Sequence, residues 1–356
     1  MVRKYIVDSV KYWAEEYHID GFRFDLVGLI DTRTVRELME EVHKTRPDVI
    51  FYGEGWNMNT DLTKPGVHLT VQGNSHLVPG FSFFSDTLRD QIRGSVFDNT
   101  APGFVSGGYA AKEELEASFM GIPSWATEPY QCVNYVSCHD NNTLFDRIVL
   151  AAPGESRENQ IRMNRLAAAF TTLSQGVPFM QAGEELLRTK PAKNGTFDSN
   201  SYKSPDSVNA LKWDTLENEE YRITRDYYRG LIAFRKAHPS LHLRTREDVH
   251  KNIHPVPTEN PHLVCFRIDE EDGRIFAAFN ADTQAVSLTL PAGKWHPCIR
   301  DDVAGTALLG DGGGSITVSP LSALVLVQKK ADIPVDVVAA LIWEKDKFLI
   351  CQRPAT

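Results

Sequence analysis

Three acidic residues stand where short apolar runs end: Asp25 after GFRF, Glu54 after FYG and Asp140 after NYVSCH. If those runs are parallel strands of a barrel, the acids sit at the end where the outgoing loops form an active site. Carboxylates placed there suit acid/base or nucleophilic work. Taken singly, Asp25 and Asp140 have a commoner explanation, the N-cap of the next helix. Glu54 lies between Gly53 and Gly55 and before Trp56, where no capping role is evident. Arg23, two positions before Asp25, shares its side of a strand and can hold that carboxylate by a charge-assisted bond, or it is simply an ion-pair partner. His139 alone could be a hydrogen-bonded core histidine. Trp56, Tyr52 and Phe84 are packing residues or stacking platforms, and the Glu184-Glu185 pair reads as structural.

The elements that must position these groups follow from periodicity. Ile6, Val10, Trp13 and Tyr17 fall at helical spacing with charges between, which predicts an amphipathic helix over residues 3–17. The crowded apolar run 21–30 suits a buried strand of a parallel sheet. Val35, Leu38, Met39 and Val42 repeat at i, i+3, i+4, i+7 until Pro47, and VIFYGEGW is a second strand. FSFF (81–84), CVNYVS (132–137) and VPFMQ (177–181) bring the strand candidates to five, with helices after FSFF, over 159–173 and over 219–238. This is the rhythm of an α/β protein. From residue 241 the text changes to short alternating strands, VCFRI, RIFAAFN, AVSLTL, SITVS and ALVLVQ, separated by DEEDG, PAG and GDGGG turns. The expected organisation is an α/β part over 1–239, an all-β domain over 240–330 and a separate tail over 331–356.

The chain has 356 residues, 42% hydrophobic and 24% charged, ordinary for a folded globular protein. Its net charge of −9 argues against a nucleic-acid partner, which needs clustered Lys and Arg. Five cysteines without a CxxC pair indicate neither a zinc site nor a disulfide framework. No run of 18 apolar residues and no export signal is seen, so neither a membrane partner nor secretion is expected and the expected location is cytoplasmic.

The local words carry more than the isolated acids. DGFRFDLVGLID (20–31), FYGEGW (51–56), NYVSCHDNNTLFD (134–146), GVPFMQAGEELLRTK (176–190) and NSYKSPDSVNALKW (200–213) occur in one order over nearly two hundred residues. The sequence resembles the α-amylase family of glycoside hydrolases (family 13), and within it type I pullulanases and glycogen-debranching enzymes. The resemblance implies a retaining hydrolase of α-1,6-glucosidic branch linkages in pullulan, glycogen or branched dextrin. It gives Asp25 the role of nucleophile, Glu54 that of general acid/base, Asp140 that of transition-state stabiliser, and Arg23 and His139 those of orienting the nucleophile and binding the sugar. Trp56, Asn200, Tyr202 and Asp206 become substrate-contact candidates. A retaining glycosidase needs its two carboxyl groups about 5 to 5.5 Å apart, and Glu54 should sit in the drier pocket so that it keeps its proton.

The resemblance also sets what is expected to differ. Phe145 and Asn57 stand where the family usually has Trp and Asp. The DVVxNH-like strand and the YNWGYDP segment that the family carries upstream are not found. GFRFD counts as the fourth barrel strand, so the expected fold is the C-terminal part of a (β/α)₈ barrel, about strands 4–8, followed by a β-sandwich. A partner segment supplying the other strands is expected to be needed for full activity. No cofactor is required; structural calcium is compatible with the family, although no Asp-rich ligand loop is seen. The tail, VDVVAALIWEKDKFLICQRP, resembles the opening hairpin of Nudix hydrolases, or is an extra hairpin of the β domain.

Overall fold

The computed structural model describes residues 1–60 and 64–333, together with the backbone of 343–344 and 347–348. Helix α1 (Val2–Glu16) leads into β1 (Gly21–Phe24), α2 (Thr32–His43), β2 (Ile50–Gly53) and β3 (Phe81–Phe84). There follow α3 (Asp86–Arg93), α4 (Lys112–Phe119), β4 (Cys132–Asn134), α5 (Leu144–Ala151), α6 (Arg157–Leu173) and β5 (Val177–Pro178). All five strands pair in parallel in sequence order, β1 to β5, as the five apolar runs predict. The short helix α7 (Asp206–Asn209) and the long α8 (Glu219–Ala237) complete this part. Five parallel strands with helices on one side are the C-terminal portion of a (β/α)₈ barrel. Among the described residues the outer edges of β1 and β5 have no partner strand.

Local chemistry explains the helix starts. Asp31 accepts the Thr34 N–H at the head of α2, and Ser85, Thr143 and Ser156 do the same for α3, α5 and α6. The caps are therefore other residues than Asp25 and Asp140, which removes the capping explanation for both acids.

The C-terminal part is not purely β. It opens with α9 (Arg246–Asn252), capped by Thr245, whose seven residues are too few to stand out as a periodic pattern. Then come β6 (Ile253–Val256), β7 (Leu263–Glu270), β8 (Gly273–Asn280), β9 (Val286–Thr289), β10 (His296–Arg300), β11 (Val303–Ala304), β12 (Ser315–Val318) and β13 (Ser322–Lys329). Six of them form an antiparallel sheet in the order β11-β10-β13-β8-β7-β6, and β9 pairs with β12. Period-two alternation divides the long strands between two cores. Cys265, Phe276, Leu324 and Leu326 face Trp295, Leu290 and Val318 across the sandwich. Val264, Phe266, Ala277, Phe279 and Val325 face the barrel helices instead, where Phe119 of α4 stacks on Phe266 at 4.0 Å and Phe170 of α6 meets Phe279 at 5.0 Å.

That second core runs from Leu88 and Phe104 through Phe119 and Phe170 into the β part. A smaller separate core, with Val10, Val35, Leu38, Phe51, Phe81 and Phe83, lies under α1, α2 and β1–β3. No helix among the described residues is long and apolar enough to cross a membrane. In the tail, β14 (Trp343–Glu344) and β15 (Lys347–Phe348) pair antiparallel; the remainder of the Nudix-like stretch lies outside the described residues.

Candidate active site

Side chains on the inner face of the parallel sheet alternate with those facing the helices. Phe22, Phe24, Phe51, Phe81 and Phe83 go to the smaller core, while Tyr52, Phe84, Val133, Tyr135 and Phe179 meet on the inner side. This period of two puts Arg23 and Asp25 on the inner side of β1, at the strand's C-terminal end. A cleft of about 220 Å³ opens there, lined by Arg23, Tyr52, Glu54, Trp56, Phe84, Tyr135, Cys138, His139 and Phe179. Concavities of about 500 and 770 Å³ are larger, but none of the three acids lines them.

Arg23 is the hub. One guanidinium nitrogen pairs with Asp25 and another with Glu54 Oε1 at 2.8 Å, while the guanidinium lies 5.8 Å from the centre of the Phe84 ring. The second Glu54 oxygen accepts the Leu26 N–H at 3.0 Å. The two acids differ in environment: the Glu54 side chain is 12% exposed and that of Asp25 78%. Glu54 is thus the more buried of the two, with both of its oxygens accepting.

The backbone is built for this close approach. A Cβ on Gly28 would stand 2.3 Å from the Trp56 carbonyl oxygen, and one on Gly53 2.5 Å from that of Phe24. Leu26, directly after Asp25, has φ +44°, and Asn141, directly after Asp140, has φ +61°. Leucine rarely adopts that left-handed conformation, and such strain gathers at functional sites.

His139 and Asp140 sit at the rim, with Nε2 of His139 3.5 Å from Asp140 Oδ2 and side chains 70% and 58% exposed. His139 is therefore no core histidine. Trp56, Tyr52 and Phe84 all line the cleft. Trp56 is also held by Arg89, whose guanidinium lies 5.9 Å from its ring and 5.5 Å from that of Tyr135, and which donates to the Tyr135 hydroxyl at 2.7 Å. Burial pushes the Tyr135 phenol well above its usual range, so it stays protonated.

Asn200, Tyr202 and Asp206 are not among the cleft-lining residues. The Asn200 N–H donates to Asp198, Tyr202 is exposed beside Lys203, and Asp206 opens α7, so their contacts stay within their own segment. Their motif indicates kinship but not which way the loop points. Four residues of importance to the site escape sequence reasoning. Tyr135 and Phe179 were findable, since each continues its strand's alternation onto the inner face. Arg89 lies in a polar stretch that gives no signal, and Lys190 closes the motif GVPFMQAGEELLRTK (176–190), which does not mark it as a buried residue. Among the described residues no three His, Cys, Asp or Glu side chains converge as a metal ion requires, so no step is routed through calcium.

The family model for the α-amylase catalytic domain matches residues 1–230. A pullulanase of Bacillus subtilis (strain 168) is 37% identical over 302 residues, covering 82% of this chain and 41% of that protein. The solved pullulanase from Bacillus acidopullulyticus superposes with a TM-score of 0.85 at 34% identity, over 92% of this chain and 40% of that one. The pullulanase from Paenibacillus barengoltzii, solved with maltohexaose and α-cyclodextrin, gives 0.82 at 37% identity over 92% and 51%. The chain thus spans about two fifths to one half of these relatives' length. A partial barrel that gathers Arg23, Glu54 and His139 around one cleft, with Asp25 and Asp140 at its edge, and that carries this match over most of its length, belongs to the α-amylase family.

Proposed function

We propose that the chain carries the catalytic acids of a debranching hydrolase for α-1,6-glucosidic linkages in pullulan, glycogen or branched dextrin. The observation that carries this reading is the Arg23 guanidinium spanning Asp25 and Glu54 at the mouth of an aromatic cleft. In the first step an Asp25 oxygen bonds to the anomeric carbon while the glycosidic C–O bond breaks and Glu54 gives its proton to the leaving oxygen. In the second, Glu54 takes a proton from water, whose oxygen displaces Asp25 and restores both groups. Asp140 offsets the positive charge that develops on the sugar, and His139 and Trp56 hold the sugar by hydrogen bonding and stacking. The Paenibacillus barengoltzii pullulanase solved with maltohexaose and α-cyclodextrin supports an α-glucan as the ligand. The open edge of β1 supports the further proposal that full turnover needs strands supplied beside it.

The test is reducing-sugar release from pullulan by the chain alone and with the N-terminal portion of the Bacillus subtilis pullulanase added. Glu54→Gln is expected to cost about 10² to 10⁴-fold in kcat, and Asp25→Asn to abolish turnover. Unchanged turnover in Asp25→Asn would sink the assignment. A second reading, a non-catalytic α-glucan binder, is favoured by the exposure of Asp25, His139 and Asp140. Maltohexaose binding without turnover in either preparation would select it.

A further inference from the structure

Beyond the three acids, the structure shows how one of them is held. The loop 137–146 that follows β4 carries His139 and Asp140, and it rests on segment 181–190, which follows β5. Lys190 is 1% exposed, and its ammonium donates to the carbonyl oxygens of His139 at 2.8 Å and Asn141 at 3.2 Å, the residues on either side of Asp140. Asn141 is left-handed, with φ +61°, and the two carbonyls share the one ammonium.

Other bonds fix the same pair of segments. The Lys190 N–H donates to Asp146 Oδ2 at 2.8 Å, and the Thr143 hydroxyl to the Arg188 carbonyl at 2.6 Å. Ser137 donates to Glu184 Oε1 at 2.7 Å, and from outside this pair Arg93, at the end of α3, donates to the Asn142 carbonyl at 3.1 Å. A buried ammonium is expensive unless it is hydrogen-bonded, and here two backbone carbonyls that flank a functional carboxylate accept from it. Lysine suits this because it offers three donors and no acceptor on a stem long enough to reach from the neighbouring strand's loop. Burial and the nearby Arg188 lower its pKa, while Cys138, Asp146 and Asp140 favour the charged form.

We infer that Lys190 is a positioning residue for Asp140, its ammonium setting the path of the backbone through His139 and Asn141 and thereby the direction of the Asp140 carboxylate. The inference rests on the reading of Asp140 as the group that stabilises the transition state. Loss of the ammonium leaves two carbonyls without their donor and lets the loop shift. A displacement of about 1 Å in a group that acts only in the transition state costs on the order of 10²-fold in rate.

The test compares Lys190→Met, which keeps the stem and loses the donors, with Lys190→Arg, which keeps donors, in the full chain. In Lys190→Met, amide hydrogen exchange in peptide 137–146 is expected to rise about tenfold with little change elsewhere. On pullulan its kcat is expected to fall about 10²-fold while KM moves less than about threefold, and Lys190→Arg to recover most of the loss. A folded Lys190→Met whose 137–146 exchange matches the wild type overturns the inference. So does an equal loss in the methionine and arginine variants, or a loss confined to KM. If Asp25→Asn abolishes turnover and Lys190→Met leaves kcat unchanged, the inference fails while the hydrolase reading stands. If the wild type turns over no α-glucan, the exchange arm decides alone. Should Lys190→Met fail to fold by circular dichroism, Lys190→Gln takes its place with the same outcomes.

Discussion

Glu184 offers a quantitative test of how the site's supports are built. It begins a short turn after β5, is buried, and its Oε1 accepts from the Ser137 hydroxyl at 2.7 Å and the Gln181 N–H at 2.9 Å. Burial pushes its carboxyl up from the usual 4.5 to about 7, with Glu185 adding to the effect, while the two hydrogen bonds and Arg93 pull the other way. Below pH 4.5 the native and unfolded chains both hold this proton, so its contribution to stability is complete. Between 4.5 and about 7 the unfolded chain releases it while the native chain keeps it, and stability falls as pH rises. At about 1.4 kcal/mol for each pH unit between the two values, the loss reaches about 3 kcal/mol by pH 8. Glu184→Gln preserves the oxygen that accepts both bonds and cannot titrate. Urea unfolding of the two proteins from pH 4.5 to 8 should therefore give a stability difference that shifts in favour of the variant by about 3 kcal/mol. Asp146, which burial pushes up to about 6, adds a slope of the same sign to both proteins and cancels in the difference. A difference that stays flat across this range would show that Glu184 is ionised in the native chain, and the reasoning would be wrong.

Two substitutions probe the packing. Gly28→Ala places a Cβ 2.3 Å from the Trp56 carbonyl, so it should cost about 1 to 3 kcal/mol in urea unfolding and weaken maltohexaose binding by displacing Trp56; an unchanged midpoint would show that the β1–β2 loops yield freely. Phe119→Ala removes the ring stacked on Phe266 and should cost about 3 to 5 kcal/mol, read from the same transition.

The parallel sheet was legible because each buried strand is a short, nearly continuous apolar run closed by a polar residue. GFRF, IFYG and FSFF became β1, β2 and β3 on this signal alone. Helices α4, α5 and α9 were missed because seven or eight residues give barely two turns over which a period can repeat, and α3, equally short, was found only because SDTLRDQIRG directly follows the FSFF strand. Strand β10, with its Pro297 and Cys298, lacks alternation and is buried on both faces through His296 to Ile299. Within the site, Asp25 and Glu54 were readable from their place after strands, but their joint hold by Arg23 required the pairing of β1 with β2, which is a long-range fact. Lys190 was unreadable because a buried lysine looks like any surface lysine until its fold neighbours are known.

The two separate cores have a dynamic consequence. Asp25 and Glu54 ride on strands anchored in the small core with Val10, Val35 and Phe51, whereas Asp140 rides on the large core that continues into the antiparallel sheet. Cooperative opening units tend to follow such boundaries, and the smaller one opens at lower free energy. Amide exchange should therefore fall into two tiers, with α1, α2 and β1 exchanging ahead of α6, β8 and β13. The catalytic constellation would then come apart along the β1–β2 side while the rest of the molecule remained folded, so heat would silence the site before it melted the protein.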